Sequence, residues 1–165
     1  MNVGVTGHRP DKLGGWDPLH PVVDRVKRVL RLALVDAGPS ALVTGMALGV
    51  DQWAAQEALE LGIPFVAAVP CDGMDDAWPS LSRKRFHALL ERAQEVVVVA
   101  PGPYKPWKMQ KRNEWVVDHC ELLLAVHDGS AGGTFNCLQY ARGIGRTIRC
   151  LDWHEPVAPT TPVVR

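Results

Sequence analysis

The fold is decided by the stretch Thr44-Gly45-Met46-Ala47-Leu48-Gly49-Val50-Asp51. It joins a short apolar run at residues 41–44 to an amphipathic stretch at residues 49–61. Two glycines separated by small residues, between a predicted strand and a predicted helix, favour a turn whose backbone N–H groups converge at a helix N-terminus. The stretch therefore predicts a strand–turn–helix unit whose turn is suited to an anion. Asp51 is expected to cap or orient this turn, or to contact a ribose hydroxyl.

The rest of the chain repeats this alternation of apolar runs and amphipathic stretches, which is typical of a mostly parallel sheet flanked by helices. The predicted strands are 2–6, 41–44, 64–69, 96–99, 122–126 and 147–151. The predicted helices are 21–37, 49–61, 82–92, 109–119 and 134–142. We predict a three-layer α/β/α fold of the Rossmann-like class, with a mostly parallel sheet of about six strands. One domain covers residues 1–153, and a Pro-rich irregular tail covers residues 154–165.

Composition narrows the function classes. The chain has 165 residues, 22% of them charged, and a formal net charge of zero, so no overall positive field attracts nucleic acid or anionic lipid. No apolar run approaches the roughly 18 residues that a membrane span needs. The four cysteines stand singly, without a CxxC pair, which predicts neither a disulfide scaffold nor a metal site. We expect a cytoplasmic protein without membrane or nucleic-acid partners.

Two further turns follow predicted strands. The first is Thr6-Gly7-His8-Arg9-Pro10, where the glycine permits a tight turn and His8 and Arg9 offer donors to a phosphate or ribose. The other is Asp128-Gly129-Ser130-Ala131-Gly132-Gly133-Thr134, which opens a predicted helix. Its Thr134 hydroxyl is expected to cap that helix and to donate to a phosphate. Because parallel strands end at the same sheet edge, we expect all three turns to form one site.

The densest basic cluster is Lys105, Lys108, Lys111 and Arg112. A solvated helix face is the expectation for Lys105 and Lys108. Arg112 and Asn113 are expected to open a helix that points back at the site, where they contact the ligand. The predicted ligand-binding set is Thr6, Gly7, His8, Arg9, Gly45, Met46, Ala47, Gly49, Val50, Asp51, Arg112, Asn113, Asp128, Gly132, Gly133 and Thr134.

These turns resemble a known superfamily. The 44–51 stretch is similar to the S-G-x-A-x-G-[IV]-D segment of the DNA-processing protein DprA. Met109-Gln110-Lys111-Arg112 and Gly132-Gly133-Thr134 resemble the M-x-x-R and G-G-x-G-T elements of the LOG phosphoribohydrolases. Together they identify the SLOG superfamily of Rossmann-like domains. Its YpsA-like branch is the most similar, through Thr6-Gly7-His8-Arg9-Pro10, Ala67-Ala68-Val69-Pro70, Arg112-Asn113 and Gly133-Thr134-Phe135-Asn136-Cys137.

The resemblance implies a nucleotide or nucleotide derivative as ligand, AMP-like or ADP-ribose-like, bound by a ligand-binding or sensor domain. It implies no further cofactor. LOG enzymes carry a glutamate shortly after their G-T, whereas Phe135, Asn136 and Cys137 follow Thr134 here. An amide or thiol does not replace a carboxylate that stabilises an oxocarbenium-like charge. LOG-type hydrolysis is therefore not favoured, and whether the protein is an enzyme stays open.

Two alternatives remain. The first is a LOG-like nucleotide N-glycosidase or phosphoribohydrolase that uses another carboxylate. Asp51, Asp118 and Asp128 are the candidates, and Asp128 is best placed because it directly follows a predicted strand. The second is a DprA-like single-stranded DNA binder, which the zero net charge disfavours. By analogy with related domains we also expect a homodimer or a higher homo-oligomer.

Overall fold

The computed structural model describes residues 1–154, in which six strands alternate with five α-helices. The predicted tail at 154–165 lies outside the described residues except for His154. The strands are β1 (Asn2–Gly7), β2 (Ala41–Thr44), β3 (Phe65–Val69), β4 (Glu95–Val98), β5 (Leu122–Val126) and β6 (Thr147–Cys150). The helices are α1 (Pro21–Ala37), α2 (Val50–Glu60), α3 (Ser80–Arg92), α4 (Pro106–Asp118) and α5 (Gly133–Gly143). A short 3-10 turn, Pro10–Lys12, follows β1.

All five strand pairings are parallel, and the strand order is β4-β3-β2-β1-β5-β6. The chain runs outward from β1 to β4 and then crosses back to place β5 beside β1. Gly7 at the end of β1 pairs with Val126 at the end of β5. The strand order reverses between these two strands, and open α/β sheets bind ligands in the crevice at such a reversal.

The two faces of the sheet carry separate cores because neighbouring strand residues point to opposite faces. Leu42 and Leu124 belong to the core shared with α1 and α2, whereas Val43 and Leu123 belong to the core shared with α4 and α5. Both faces are covered, so the central strands β1, β2 and β5 are largely apolar, and their polar residues Asn2, Thr6 and Thr44 lie near the strand ends. The predicted three-layer α/β/α fold with a parallel sheet is confirmed. Within residues 1–154 no helix is long and apolar enough to cross a membrane.

Local sequence explains the limits of α1. Pro21 occupies the first helical turn, and the His20 ring accepts a hydrogen bond from the Val22 N–H at 3.2 Å. The helix ends at Gly38, which has a φ of 53° in the left-handed region. The predicted range for this helix agrees with the structure at both ends.

Helix α4 begins earlier than predicted. It starts at Pro106 after an extended Lys105, since proline suits a first helical position where its missing N–H is not needed. Lys108 therefore lies inside the helix, four residues before the buried Arg112 and on the same face. The expected solvated face is wrong for this residue, which is 5% exposed. Its ammonium donates to the Pro101 carbonyl at 2.8 Å. Lys105 is exposed, as expected.

The turns after β1 and β2 are packed backbone against backbone. Gly49 has a φ of 95°, and a Cβ there would lie 2.6 Å from the His8 carbonyl oxygen. The Val50 N–H donates to that same oxygen at 3.3 Å. A Cβ on Gly7 would in turn lie 2.6 Å from the Val50 side chain. Only glycines at positions 7 and 49 permit the two turns to approach so closely. Their contact holds the turn after β1 at the edge of the site.

We expect Gly49→Ala to lower the free energy of unfolding by about 3 kcal/mol or more, because the new methyl collides with backbone as well as adopting a strained φ. Gly38→Ala is the matched control, since its φ is also positive but its Cβ position is open. It should cost only about 1 kcal/mol. Urea unfolding of both variants measures the difference, and equal losses would contradict the packing described for Gly49.

Candidate functional site

A cleft of about 270 Å³ lies where the strand order reverses, at the carboxyl ends of β1 and β5. The three predicted turns and one side of α4 form its walls. The structure thus brings most of the predicted residues together in one place. Those that line the cleft are Thr6, Gly7, His8, Arg9, Ala47, Asp51, Arg112, Asn113, Gly132, Gly133 and Thr134.

The other predicted residues of the second turn lie behind the cleft wall, namely Gly45, Met46, Gly49 and Val50. The Gly45 carbonyl accepts a hydrogen bond from Arg112, and a Cβ on Gly45 would lie 2.6 Å from the Arg112 side chain. Met46 is fully buried with a φ of 61°, and its carbonyl accepts from the Gln52 amide at 3.1 Å. These residues shape the wall and hold Arg112.

Arg112 is a buried charge, with 4% of its surface exposed. Its Nε donates to Asn113 Oδ1 at 2.9 Å and its Nη1 donates to the Gly45 carbonyl. Among the described residues Nη2 has no hydrogen-bond partner. Burial lowers the pKa of Arg112, against the effect of the nearby Asp51 carboxylate, but a guanidinium stays protonated in proteins. The cleft therefore contains a fixed positive charge with unused donors.

Asn113 connects Arg112 to the next helix. Its amide nitrogen donates to the Gly133 carbonyl at 3.3 Å while its oxygen accepts from Arg112. The expectation that Arg112 and Asn113 open a helix is wrong, because α4 begins at Pro106 and presents both residues from its side. Their predicted approach to the site nevertheless agrees with the structure.

The N-terminus of α5 opens into the cleft. Gly132 precedes the helix with a φ of 145°, and no acidic residue lies in the first turn. No side chain in the described part of the chain, residues 1–154, caps this helix end. Thr134 was expected to cap this helix, but it is the second helical residue and makes no capping bond. The N–H groups of the first turn have no partner within a helix, and the helix dipole makes this end positive.

The N-terminus of α2 is different because it carries a carboxylate. Asp51 lies in the first turn of α2 and is 6% exposed. Its Oδ2 accepts from the Ala47 N–H at 3.2 Å, and its carbonyl accepts from the Thr44 hydroxyl at 2.9 Å. Burial raises the pKa of Asp51, while Arg112 and the Ala47 N–H oppose that rise. The second turn thus supplies the carboxylate that the positive end of its own helix favours.

Asp128 does not line the cleft. Its Oδ1 accepts from the Ser130 N–H at 2.9 Å, and hydrogen bonds from Ser130 hold the pKa of Asp128 well below its usual range. The side chain of His8, 3% exposed, places Nε2 3.0 Å from the Asp128 N–H and 2.9 Å from Asp128 Oδ1. Burial lowers the pKa of His8, and the nearby Asp128 carboxylate opposes this effect. The other candidate carboxylate, Asp118, lies at the end of α4 and accepts from the Tyr140 hydroxyl.

A group with metal-ligand atoms occurs beside the cleft. The side-chain ligand atoms of His8, His127 and Asp128 lie within 4.8 Å of one another. However, His127 Nδ1 accepts from the Gly129 N–H at 3.2 Å, and its Nε2 contacts the Ser130 carbonyl at 2.8 Å. Both ring nitrogens therefore hold the loop before α5, and this hydrogen bonding explains the cluster without a metal.

The sequence of this chain matches a family model described as the YspA SLOG family over residues 3–142. The chain belongs to this family. The superfamily assignment made from the sequence motifs is thereby confirmed. One relative, the uncharacterized SPbeta prophage-derived protein YoqJ of Bacillus subtilis, is 33% identical over 135 residues, covering 72% of this chain and 79% of YoqJ.

Solved structures with the same fold are more distant in sequence. DprA of Streptococcus pneumoniae has a TM-score of 0.68 at 19% identity, covering 90% of this SLOG chain, which spans about half of that protein (49%). DprA of Helicobacter pylori, described with a single-stranded DNA binding mode, has a TM-score of 0.66 at 18% identity, covering 91% of this chain and 64% of that one. The molybdenum cofactor carrier protein of Chlamydomonas reinhardtii has a TM-score of 0.56 at 17% identity. The match covers 90% of this chain and 74% of the carrier protein.

Sequence reasoning missed some lining residues of this SLOG domain: Asp11, Lys12, Ser130, Ala131 and Phe135. Pro10 starts the 3-10 turn that returns Asp11 and Lys12 to the sheet edge, and their proximity to the first turn was the available signal. Met109 also lines the cleft. It lies three residues before Arg112, a spacing that places both on one helix face.

The lowered pKa of His8 makes stability depend on pH. Below the ordinary value of 6.5, the unfolded chain binds more protons at His8 than the folded protein does. Stability contributed by the neutral ring is therefore present above that value and is lost as the pH falls. We expect acidification from about pH 7.5 to about pH 5.5 to lower the Tm of the unmodified protein. The Tm of His8→Gln should fall less over the same range, because the glutamine amide oxygen can accept from the Asp128 N–H and does not titrate.

Thermal unfolding at both pH values tests this expectation. The control is His154→Gln, since the His154 side chain is 68% exposed. It should lose as much stability on acidification as the unmodified protein. An unchanged pH response in His8→Gln would contradict the role given to His8.

Proposed function

We propose that this SLOG domain binds a nucleotide or nucleotide derivative, AMP-like or ADP-ribose-like, as a ligand-binding or sensor domain. A phosphate group would lie at the N-terminus of α5, next to Arg112. The observation that carries the proposal is the guanidinium of Arg112, a residue that is 4% exposed. Within residues 1–154 its Nη2 has no hydrogen-bond partner, and it shares a cleft with the N-terminus of α5, which no side chain of those residues caps. A buried cation and a free helix N-terminus both favour an anion.

The charges around the cleft support the same conclusion. Arg9, Lys12 and Arg112 line it, against the carboxylates of Asp11 and Asp51. Asp51 is already engaged within the protein, because its Oδ2 accepts from the Ala47 N–H. The positive end of α5 adds to the cationic side. A bound phosphate would balance this excess, and Asp11 or Asp51 would offer oxygens to ribose hydroxyls.

The volume of the cleft limits the ligand. At about 270 Å³ it lies near the lower limit of small-molecule sites, about 300 Å³. A phosphate and its sugar fill such a space, whereas a complete dinucleotide extends beyond it. We therefore propose that the phosphoribosyl part of the ligand is enclosed and that the remainder projects into solvent.

The charge balance of the cleft disfavours cleavage of an N-glycosidic bond. That reaction develops positive charge on the sugar and needs a nearby carboxylate. Asp128 and Asp118 are outside the cleft, and Asp51 is hydrogen-bonded to the Ala47 N–H beside a buried arginine. The other carboxylate that lines the cleft, Asp11, lies in the 3-10 turn between two cationic lining residues, Arg9 and Lys12. We propose binding without hydrolysis, and chromatography of the protein incubated with AMP should show no adenine.

The first test combines thermal shift with Arg112→Lys, which keeps the buried charge but removes the planar set of donors. AMP at about one hundred times its Kd should raise the Tm of the unmodified protein by about 5–10 °C. We expect Arg112→Lys to weaken AMP binding at least about tenfold, because charge-assisted hydrogen bonds to phosphate are lost. The control is Lys84→Ala on α3, an exposed lysine outside the cleft.

Single-stranded DNA is the competing ligand in that test, because the H. pylori relative in fold is described as binding it. Stabilisation by an oligonucleotide that falls steeply with salt, without stabilisation by AMP or ADP-ribose, would contradict the proposal and support a DprA-like DNA binder.

A second test removes one backbone donor. Gly133 is the first residue of α5, and a Cβ there would meet open space. Gly133→Ala keeps the N–H, whereas Gly133→Pro removes it at a position where helices tolerate proline. We expect calorimetric titration to show AMP binding close to normal for alanine and weaker by about tenfold for proline. Equal affinities would exclude a phosphate at this helix end.

A further inference from the structure

Lys12 connects the two walls of the cleft. It ends the 3-10 turn after β1, and its ammonium donates to Ser130 Oγ at 2.8 Å and to the Ala131 carbonyl at 3.2 Å on the loop before α5. A Cβ on Gly132 would lie 3.8 Å from the same nitrogen. The contact is solvent-exposed, so it lies at the rim, directly beside the first turn of α5.

We propose that Lys12 is a phosphate-contacting residue that makes binding depend on the charge of the phosphate. The inference rests on the proposed nucleotide site. An ammonium has three donors, and the bridge to Ser130 and Ala131 uses two of them. The third is available to a ligand oxygen at the N-terminus of α5. The three-turn pattern does not include this residue, because it follows the first turn instead of belonging to it.

The position of Lys12 complements that of Arg112. Arg112 is buried at the base of the cleft and is held by Gly45 and Asn113, whereas Lys12 is exposed at the rim. A phosphate between them is contacted from two sides. A phosphate monoester carries close to two negative charges near neutral pH and a diester only one, so the rim cation should favour the monoester.

The alternative is a purely structural bridge. In that case Lys12 would serve only to hold the loop before α5, and removing its partner Ser130 would have the same effect as removing Lys12. The proposal predicts different effects, because Ser130→Ala leaves the ammonium and its contact with the Ala131 carbonyl in place.

Calorimetric titration with AMP, 3′,5′-cyclic AMP and adenosine distinguishes a phosphate-contacting Lys12 from a purely structural bridge. The probes share base and sugar but carry a monoester, a diester and no phosphate. In Lys12→Met we expect AMP to bind about tenfold more weakly, cyclic AMP to lose less, and adenosine to be unchanged. Ser130→Ala should weaken AMP binding clearly less than Lys12→Met does. Lys84→Met, another exposed lysine substitution, should change none of the three.

The outcomes distinguish the two proposals. Failure of the unmodified protein to bind any of the three probes overturns the proposed function and this inference with it. Normal AMP binding by the unmodified protein together with an unchanged Kd in Lys12→Met overturns only the role of Lys12. An equal loss in Ser130→Ala and Lys12→Met also overturns it, because the bridge alone would then explain the effect.

Discussion

The buried guanidinium of Arg112 is the interaction on which the site depends. It joins α4 to the second turn through the Gly45 carbonyl and, through Asn113, to the start of α5. Burying a charge costs several kcal/mol unless its donors are satisfied. The protein satisfies only part of this requirement, since Nη2 has no partner among the described residues. The glycine at position 45 is needed for the same reason, because a side chain there would occupy the space of Arg112.

The two glycine turns that open helices differ in a way that spacing alone does not show. Both place a helix N-terminus at the sheet edge, where the dipole favours an anion. At α2 the chain supplies its own anion, the buried Asp51, which also accepts from the Ala47 N–H. At α5 the first turn has neither an acid nor a side-chain cap. One end is therefore internally balanced, and the other leaves its donors for a ligand.

The sequence predicted the layers, the parallel sheet and the superfamily, because apolar runs and helix signals such as Pro21 and Gly38 are local. It also placed Arg112 and the three turns at one edge, since parallel strands end together. It could not show that Gly49 and Val50 lie behind the wall, because their burial results from contact with His8 and Gly7 across the sheet. The burial of Lys108 likewise depends on its lying inside α4, where it is four residues before the buried Arg112 and therefore on the same helix face.

The fold alone does not decide what this cleft does. DprA and the molybdenum cofactor carrier protein share the architecture at 17–19% identity, yet their descriptions name different ligands. One scaffold carries several functions when the residues at the end of its strands change. In this chain the residues at the strand ends determine the balance of positive and negative charge in the cleft. The residues after Thr134 supply no carboxylate, while Arg112 and the free end of α5 remain. A site with that balance would stabilise a phosphate more readily than a positively charged sugar, and this difference is the physical basis of the proposal that the domain binds its ligand without hydrolysis.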